Sequence, residues 1–71
     1  MLLEAFQNRR NRDERARELR KQGWRVRVYT MRNQQCHPEY VKDYEGEYQT
    51  GVGNVDYKTY FARLYCLRAE K

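Results

Sequence analysis

The run from Gly23 to Met31, Gly-Trp-Arg-Val-Arg-Val-Tyr-Thr-Met, alternates two kinds of side chain. Successive side chains of a strand point to opposite faces of a sheet, so this alternation predicts a β-strand with two different faces. We expect the apolar set to enter the core and the basic, aromatic set to remain available to a partner. The apolar set is Trp24, Val26, Val28 and Thr30, and the other set is Arg25, Arg27, Tyr29 and Met31.

The size and composition predict one small domain with a thin core. A chain of 71 residues is near the lower limit at which one hydrophobic core holds a fold without disulfides or metal. Hydrophobic residues make up 39% of the chain and charged residues 35%. Residues 1–71 are therefore expected to form one domain, in which residues 1–10 are a flexible or helical arm.

The elements around the first strand predict an α+β fold of the order αβββ. Asn11 as cap, Glu14 three residues later and the stop at Gly23 predict a helix over about 12–22. Two further strands are predicted, from Glu39 to Tyr44 and from Tyr57 to Leu67. The glycines within 45–56 predict a hairpin-type turn or a mobile loop between them. We expect one helix to pack on a three-stranded antiparallel sheet, over Trp24, Val26, Val28, Ala62 and Leu64.

In that arrangement the outer face of the sheet would combine three guanidinium groups with three aromatic rings. Bases stack on such rings at about 1–3 kcal/mol each while arginine contacts phosphate, as on sheet surfaces that bind single strands. The leading hypothesis is a small non-enzymatic protein that binds RNA or single-stranded DNA. Its predicted binding residues are Arg25, Arg27, Tyr29, Phe61, Arg63 and Tyr65.

The same rings could instead form an interface with a protein partner or with a second copy of the chain, covered by arginines through cation–π contacts. This alternative describes an interaction module, or a small regulator or inhibitor of the kind that phages make against host machinery. The sequence does not choose between the two hypotheses.

The distribution of charge agrees with polyanion binding in all but one segment. The formal net charge is +5, yet residues 34–56 hold one lysine against five acidic residues, so this segment should lie off the binding face or carry a separate role. The helix offers a secondary basic face, partly neutralised by acidic residues at helical spacing from its arginines, such as Asp13 four residues before Arg17. That face comprises Arg9, Arg10, Arg12 and Arg17.

No catalytic, metal or cofactor site is predicted. Cys36 and His37 are adjacent and would point apart on an extended chain, and Cys66 adds no recognised ligand spacing. Two cysteines are too few for the disulfide framework of a small secreted domain, and no apolar stretch approaches the ~20 residues that span a bilayer. A cytoplasmic protein with reduced thiols and no membrane contact is expected.

Overall fold

The described part of the chain forms one helix, one 3₁₀ turn and three strands. A computed structural model describes residues 1–45 and 58–71. In chain order the elements are β1 (Leu2–Phe6), α1 (Arg9–Lys21), β2 (Arg25–Cys36), a 3₁₀ turn (Pro38–Tyr40) and β3 (Thr59–Glu70).

The predicted fold class is confirmed, because a single helix accompanies a three-stranded antiparallel sheet. One strand, however, precedes the helix, so the arm predicted over 1–10 is largely β1. The helix also begins earlier than predicted, since Asn8 is the N-cap and its side chain accepts from the Arg10 backbone N–H at 2.8 Å. Asn caps a helix by satisfying one of its free N–H groups.

The strand predicted from Glu39 to Tyr44 is wrong. Pro38 begins the 3₁₀ turn, and Nδ1 of His37 caps that turn by accepting from the Glu39 N–H at 3.2 Å. Proline lacks an N–H and fixes φ, which suits the start of a helical turn better than a paired strand. Within the segment predicted as a strand, Val41 forms one isolated parallel bridge, to Ala5. The glycine-rich turn predicted over 45–56 lies, except for Glu45, outside the described residues.

The last strand lies in the middle of the sheet, whose order is β1-β3-β2. Both neighbours run antiparallel to β3. Consequently β1 and β2 are edge strands, each with one side that no other described strand covers. The register places Val28 opposite Leu67 and Tyr29 opposite Cys66.

One core lies between α1 and the sheet. It is built from side chains on one face of the sheet and from the inward positions of the helix, with Trp24 and Val26 packed at its margin. Apolar burial of this kind is the main stabilising term in a small domain. The buried members of this core are Phe6, Ala16, Leu19, Leu67 and Ala69.

Two of the residues expected beneath the helix lie elsewhere. Ala62 is exposed, and Leu64 belongs to a second apolar cluster with Val41, Phe61 and Cys66. Val28, also expected inside, is 41% exposed because it lies on the edge strand. The central strand is thus buried on both faces along part of its length.

Cys66 is part of the second cluster and is only 2% exposed. Burial raises the pKa of its thiol, since the thiolate would lose solvation there. A buried neutral thiol behaves as a small hydrophobic side chain.

Asp43 connects the segment after the 3₁₀ turn to the beginning of the helix. Its carboxylate accepts from the backbone N–H groups of Gln7 and Asn8, and from the side-chain amide of Asn11 at 2.8 Å. The first turn of α1 contains no acidic residue of its own. Asp43 therefore supplies the negative charge that the helix N-terminus favours.

The substitution Asp43→Ala is expected to lower the free energy of unfolding by about 1–2 kcal/mol, as loss of a capping carboxylate does. Asp43→Asn should cost less, because one amide oxygen still accepts. Urea unfolding followed by circular dichroism measures both. Glu45→Gln is the matched control: it also removes one negative charge, but among the described residues Glu45 donates its backbone N–H to Gln7 and its carboxylate forms no ion pair. Equal stabilities of Asp43→Ala and Glu45→Gln would contradict the capping role.

Candidate nucleic-acid interface

The basic side of β2 lies on the sheet face that points away from α1. Side chains directly opposite each other on paired strands lie on the same face. Arg25 pairs with Glu70 and Arg27 with Arg68, whereas the helix-side core holds Leu67 and Ala69. The expected separation of the two sets of β2 side chains is therefore observed.

The six predicted binding residues do not share this face, so the predicted grouping is wrong. Phe61 is 3% exposed, in the second cluster. Tyr65 faces the helix, where the Arg12 guanidinium lies 5.6 Å from its ring centroid. Arg63 is exposed and lies opposite Arg32 of β2 in the strand register. The β3 residues that share a face with Arg25, Arg27 and Tyr29 are instead Glu70, Arg68 and Cys66.

Arg68 takes the place that the sequence assigned to Arg63. Together with Arg25, Arg27 and Glu70 it lines a cavity of about 200 Å³. Nη2 of Arg68 lies 2.8 Å from Oε1 of Glu70, and this hydrogen bond lowers the pKa of the Glu70 carboxyl. Within residues 1–45 and 58–71, neither Arg25 nor Arg27 has a carboxylate within ion-pair distance. The cavity thus presents three guanidinium groups against one carboxylate.

Apolar and aromatic side chains adjoin the arginines. Leu3 is 57% exposed and Tyr29 41%, and both line a cleft with Arg27 and Arg68. Leu3 reaches this side because it is opposite Arg68 across β1 and β3. We refer to these side chains together as the open face. The open face consists of Leu3, Arg25, Arg27, Tyr29 and Arg68.

No known protein family, curated protein or solved structure matches this chain. Its function must therefore be inferred from the chemistry of its own surfaces.

The secondary basic face predicted on the helix is divided by the structure. Arg9 pairs with Asp13 at 3.7 Å and Arg10 with Glu14 at 3.2 Å, both in exposed positions. Arg17 is exposed and has no ion pair with any described residue. Arg12 is only 8% exposed, so it does not lie on an exposed basic face with the other three arginines.

Arg12 is part of the structural framework beneath the helix. Its side chain pairs with Asp13 at 2.8 Å, and its Nη1 donates to the backbone carbonyl of Tyr29 at 3.3 Å. The guanidinium also lies beside the ring of Tyr65. A buried arginine needs such partners, because an unpaired buried charge is costly.

The end of the chain contained the signal that identifies Arg68. If the last strand is extended to Glu70, one set of alternating side chains gains Ala69, and the opposite set gains Arg68 and Glu70. The charged parity then belongs on the solvated side, which is the usual pattern of an antiparallel sheet. A strand that ends at Leu67 contains none of these three residues, so the difference between its two faces is not apparent.

Two further observations concern chemistry outside the open face. Across the described ranges, no group of three or more His, Cys, Asp or Glu side chains is arranged to hold a metal ion. In the same ranges no helix has the length and apolar character needed to cross a membrane; α1 has 13 residues.

Proposed function

We propose that this protein binds RNA or single-stranded DNA through the open face, without catalysing a reaction, in a reducing cytoplasmic compartment. The observation that supports the proposal is the convergence of Arg25, Arg27 and Arg68 on one cavity that contains a single carboxylate. Each arginine can donate two parallel hydrogen bonds to phosphate oxygens. Three such groups on neighbouring strands match the repeated charges of a nucleic-acid backbone better than a single small anion.

The composition of the open face suggests that charge contributes more than base stacking. Of the three rings expected there, Tyr29 alone is on this face, so at most one base can stack on a ring of the predicted set. Stacking is worth about 1–3 kcal/mol per base, whereas backbone contacts supply most non-specific affinity. The proposed binding should therefore depend strongly on salt and weakly on sequence.

Self-association is the second candidate, and the exposure of Leu3 and Tyr29 on the same face favours it. An apolar patch on a sheet face can be covered by a second copy. The guanidinium groups oppose this, because two copies that meet through the same patch place arginines against arginines. Self-association should therefore increase with salt, whereas nucleic-acid binding should decrease with salt.

A titration of a fluorescent single strand of about 20 nucleotides, followed by anisotropy, tests the proposed function. Arg68→Ala is expected to weaken binding about three- to tenfold, consistent with the loss of one phosphate contact. Arg63→Ala is the matched control: it makes the same substitution on the same strand, outside the open face. Equal losses from both variants would contradict the proposed site, and no binding by the wild type at low salt would contradict the function.

A further inference from the structure

A second basic cleft lies on the other side of β2, between that strand and α1. Three cationic residues of the helix, Arg17, Arg20 and Lys21, line it beside Val28. Nη2 of Arg20 donates to the backbone carbonyl of Val26 at 3.2 Å, which holds that guanidinium against the strand. These residues are exposed on the helix surface.

The charges of this cleft are less compensated than those of the first half of the helix. Asp13 also lines the cleft, but its carboxylate pairs with Arg9 and Arg12, and the i,i+4 pair with Arg17 expected from sequence is not formed. Neither Arg17 nor Lys21 has an ion pair within the part of the chain that the structure describes. Residues three and four apart on a helix are neighbours, so Arg17 is repelled by both Arg20 and Lys21.

The helix-side cleft and the open face meet at the edge of β2. Val28 lines both the helix-side cleft and the cleft that contains Leu3, Arg27 and Arg68. Positive charge therefore continues from one side of the sheet to the other around this edge. Val28, which both clefts share, is itself an exposed apolar residue.

We propose that the ligand of this surface is nucleic acid with two rows of phosphates, as in the stem of an RNA hairpin, with the β2 edge lying between the rows. This inference rests on the proposed function and specifies its ligand. The helix-side cations contact one backbone, and the arginines of the open face contact the other. A flat anionic membrane could meet only one side of the sheet at a time, whereas a duplex presents phosphate rows across a groove.

The double variant Arg17→Ala, Lys21→Ala tests this inference by anisotropy on two fluorescent RNAs. One is a hairpin with a stem of about 10 base pairs, and the other is an unpaired strand of the same length. The variant is expected to weaken hairpin binding at least about tenfold and to reduce the salt slope by about 2, roughly 1 per cation removed. Binding of the unpaired strand should change by less than about twofold, because it uses the open face alone.

The variant Arg9→Ala, Arg10→Ala is the matched control, since it removes two charges from the same helix at residues that already pair with carboxylates. Circular dichroism verifies that both variants are folded. An unchanged hairpin affinity in the first variant would overturn the inference, and so would an equal loss on both RNAs. In either case the proposed function still stands if Arg68→Ala weakens binding and Arg63→Ala does not. If the wild type binds neither RNA, the proposed function itself fails.

Discussion

Replacing Arg25, Arg27 and Arg68 together by alanine is expected to lower the affinity for a single-stranded oligonucleotide about 100-fold. The three guanidinium groups line one cavity, so they can contact neighbouring phosphates of the same strand. At about 1 kcal/mol for each contact, the loss totals about 3 kcal/mol, and every 1.4 kcal/mol is a factor of ten. The salt slope should also become shallower by about 2, since each phosphate contact with a single strand contributes about 0.7.

Two companion variants show whether the loss of affinity depends on the position of the charges or on their number. Arg9→Ala, Arg10→Ala, Arg63→Ala removes the same charge at exposed sites outside the open face and should weaken binding by no more than about twofold, through the long-range field. Lysine at positions 25, 27 and 68 keeps the charge but loses the two-pronged hydrogen bonding, so affinity should be intermediate. If the displaced control loses as much affinity as the open-face variant, only net charge matters and the proposed site is wrong.

The substitution Leu67→Ala should have the largest effect on stability, a loss of about 2–5 kcal/mol in the free energy of unfolding. Leu67 is 0% exposed on the central strand and belongs to the same core as Leu19 and Ala16 of the helix. Removing its side chain leaves a cavity that the helix and sheet can fill only partly. Domains typically have about 0.05–0.15 kcal/mol of stability per residue, so a chain of 71 residues would retain little of its own.

Urea unfolding of Leu67→Ala followed by circular dichroism is the appropriate measurement. Leu3→Ala provides the comparison, because Leu3 is 57% exposed and its loss should change stability by no more than about 0.5 kcal/mol. A small effect of Leu67→Ala would show that the helix does not depend on this side chain. Because Leu67 adjoins Arg68, any binding loss in this variant should be judged only at temperatures where it remains folded.

Part of this structure could be predicted because it depends on local signals. The predicted helix is confirmed. Its two local signals were an asparagine cap and a glycine stop: Gly23 does lie just beyond the end, although the cap is Asn8 and not Asn11. Gly23 has φ of +92°, a conformation that glycine adopts without strain and that commonly follows a helix. The alternation in β2 likewise determined which side chains would lie together, because side-chain direction along one strand depends only on parity.

The first strand was missed because Leu2, Leu3 and Phe6 also fit a helical spacing, and a run of five residues is too short to discriminate. Its conformation is stabilised by pairing with β3, from Leu2 opposite Ala69 to Phe6 opposite Tyr65. Those partners are more than 50 residues away along the chain, so no local pattern specifies them. The capping of the helix by Asp43 is similarly a long-range contact.

The sequence by itself determined that this chain has a helix on an antiparallel sheet and a β2 strand with one basic side. The tertiary structure decided which side chains of β3 lie on the same face as the basic side of β2. Both parities of β3 contain buried apolar side chains, because α1 covers Leu67 and Ala69 while the second cluster covers Leu64 and Cys66. Periodicity cannot orient a strand that is buried on both faces, and only the pairing of Arg27 with Arg68 brings the three arginines together.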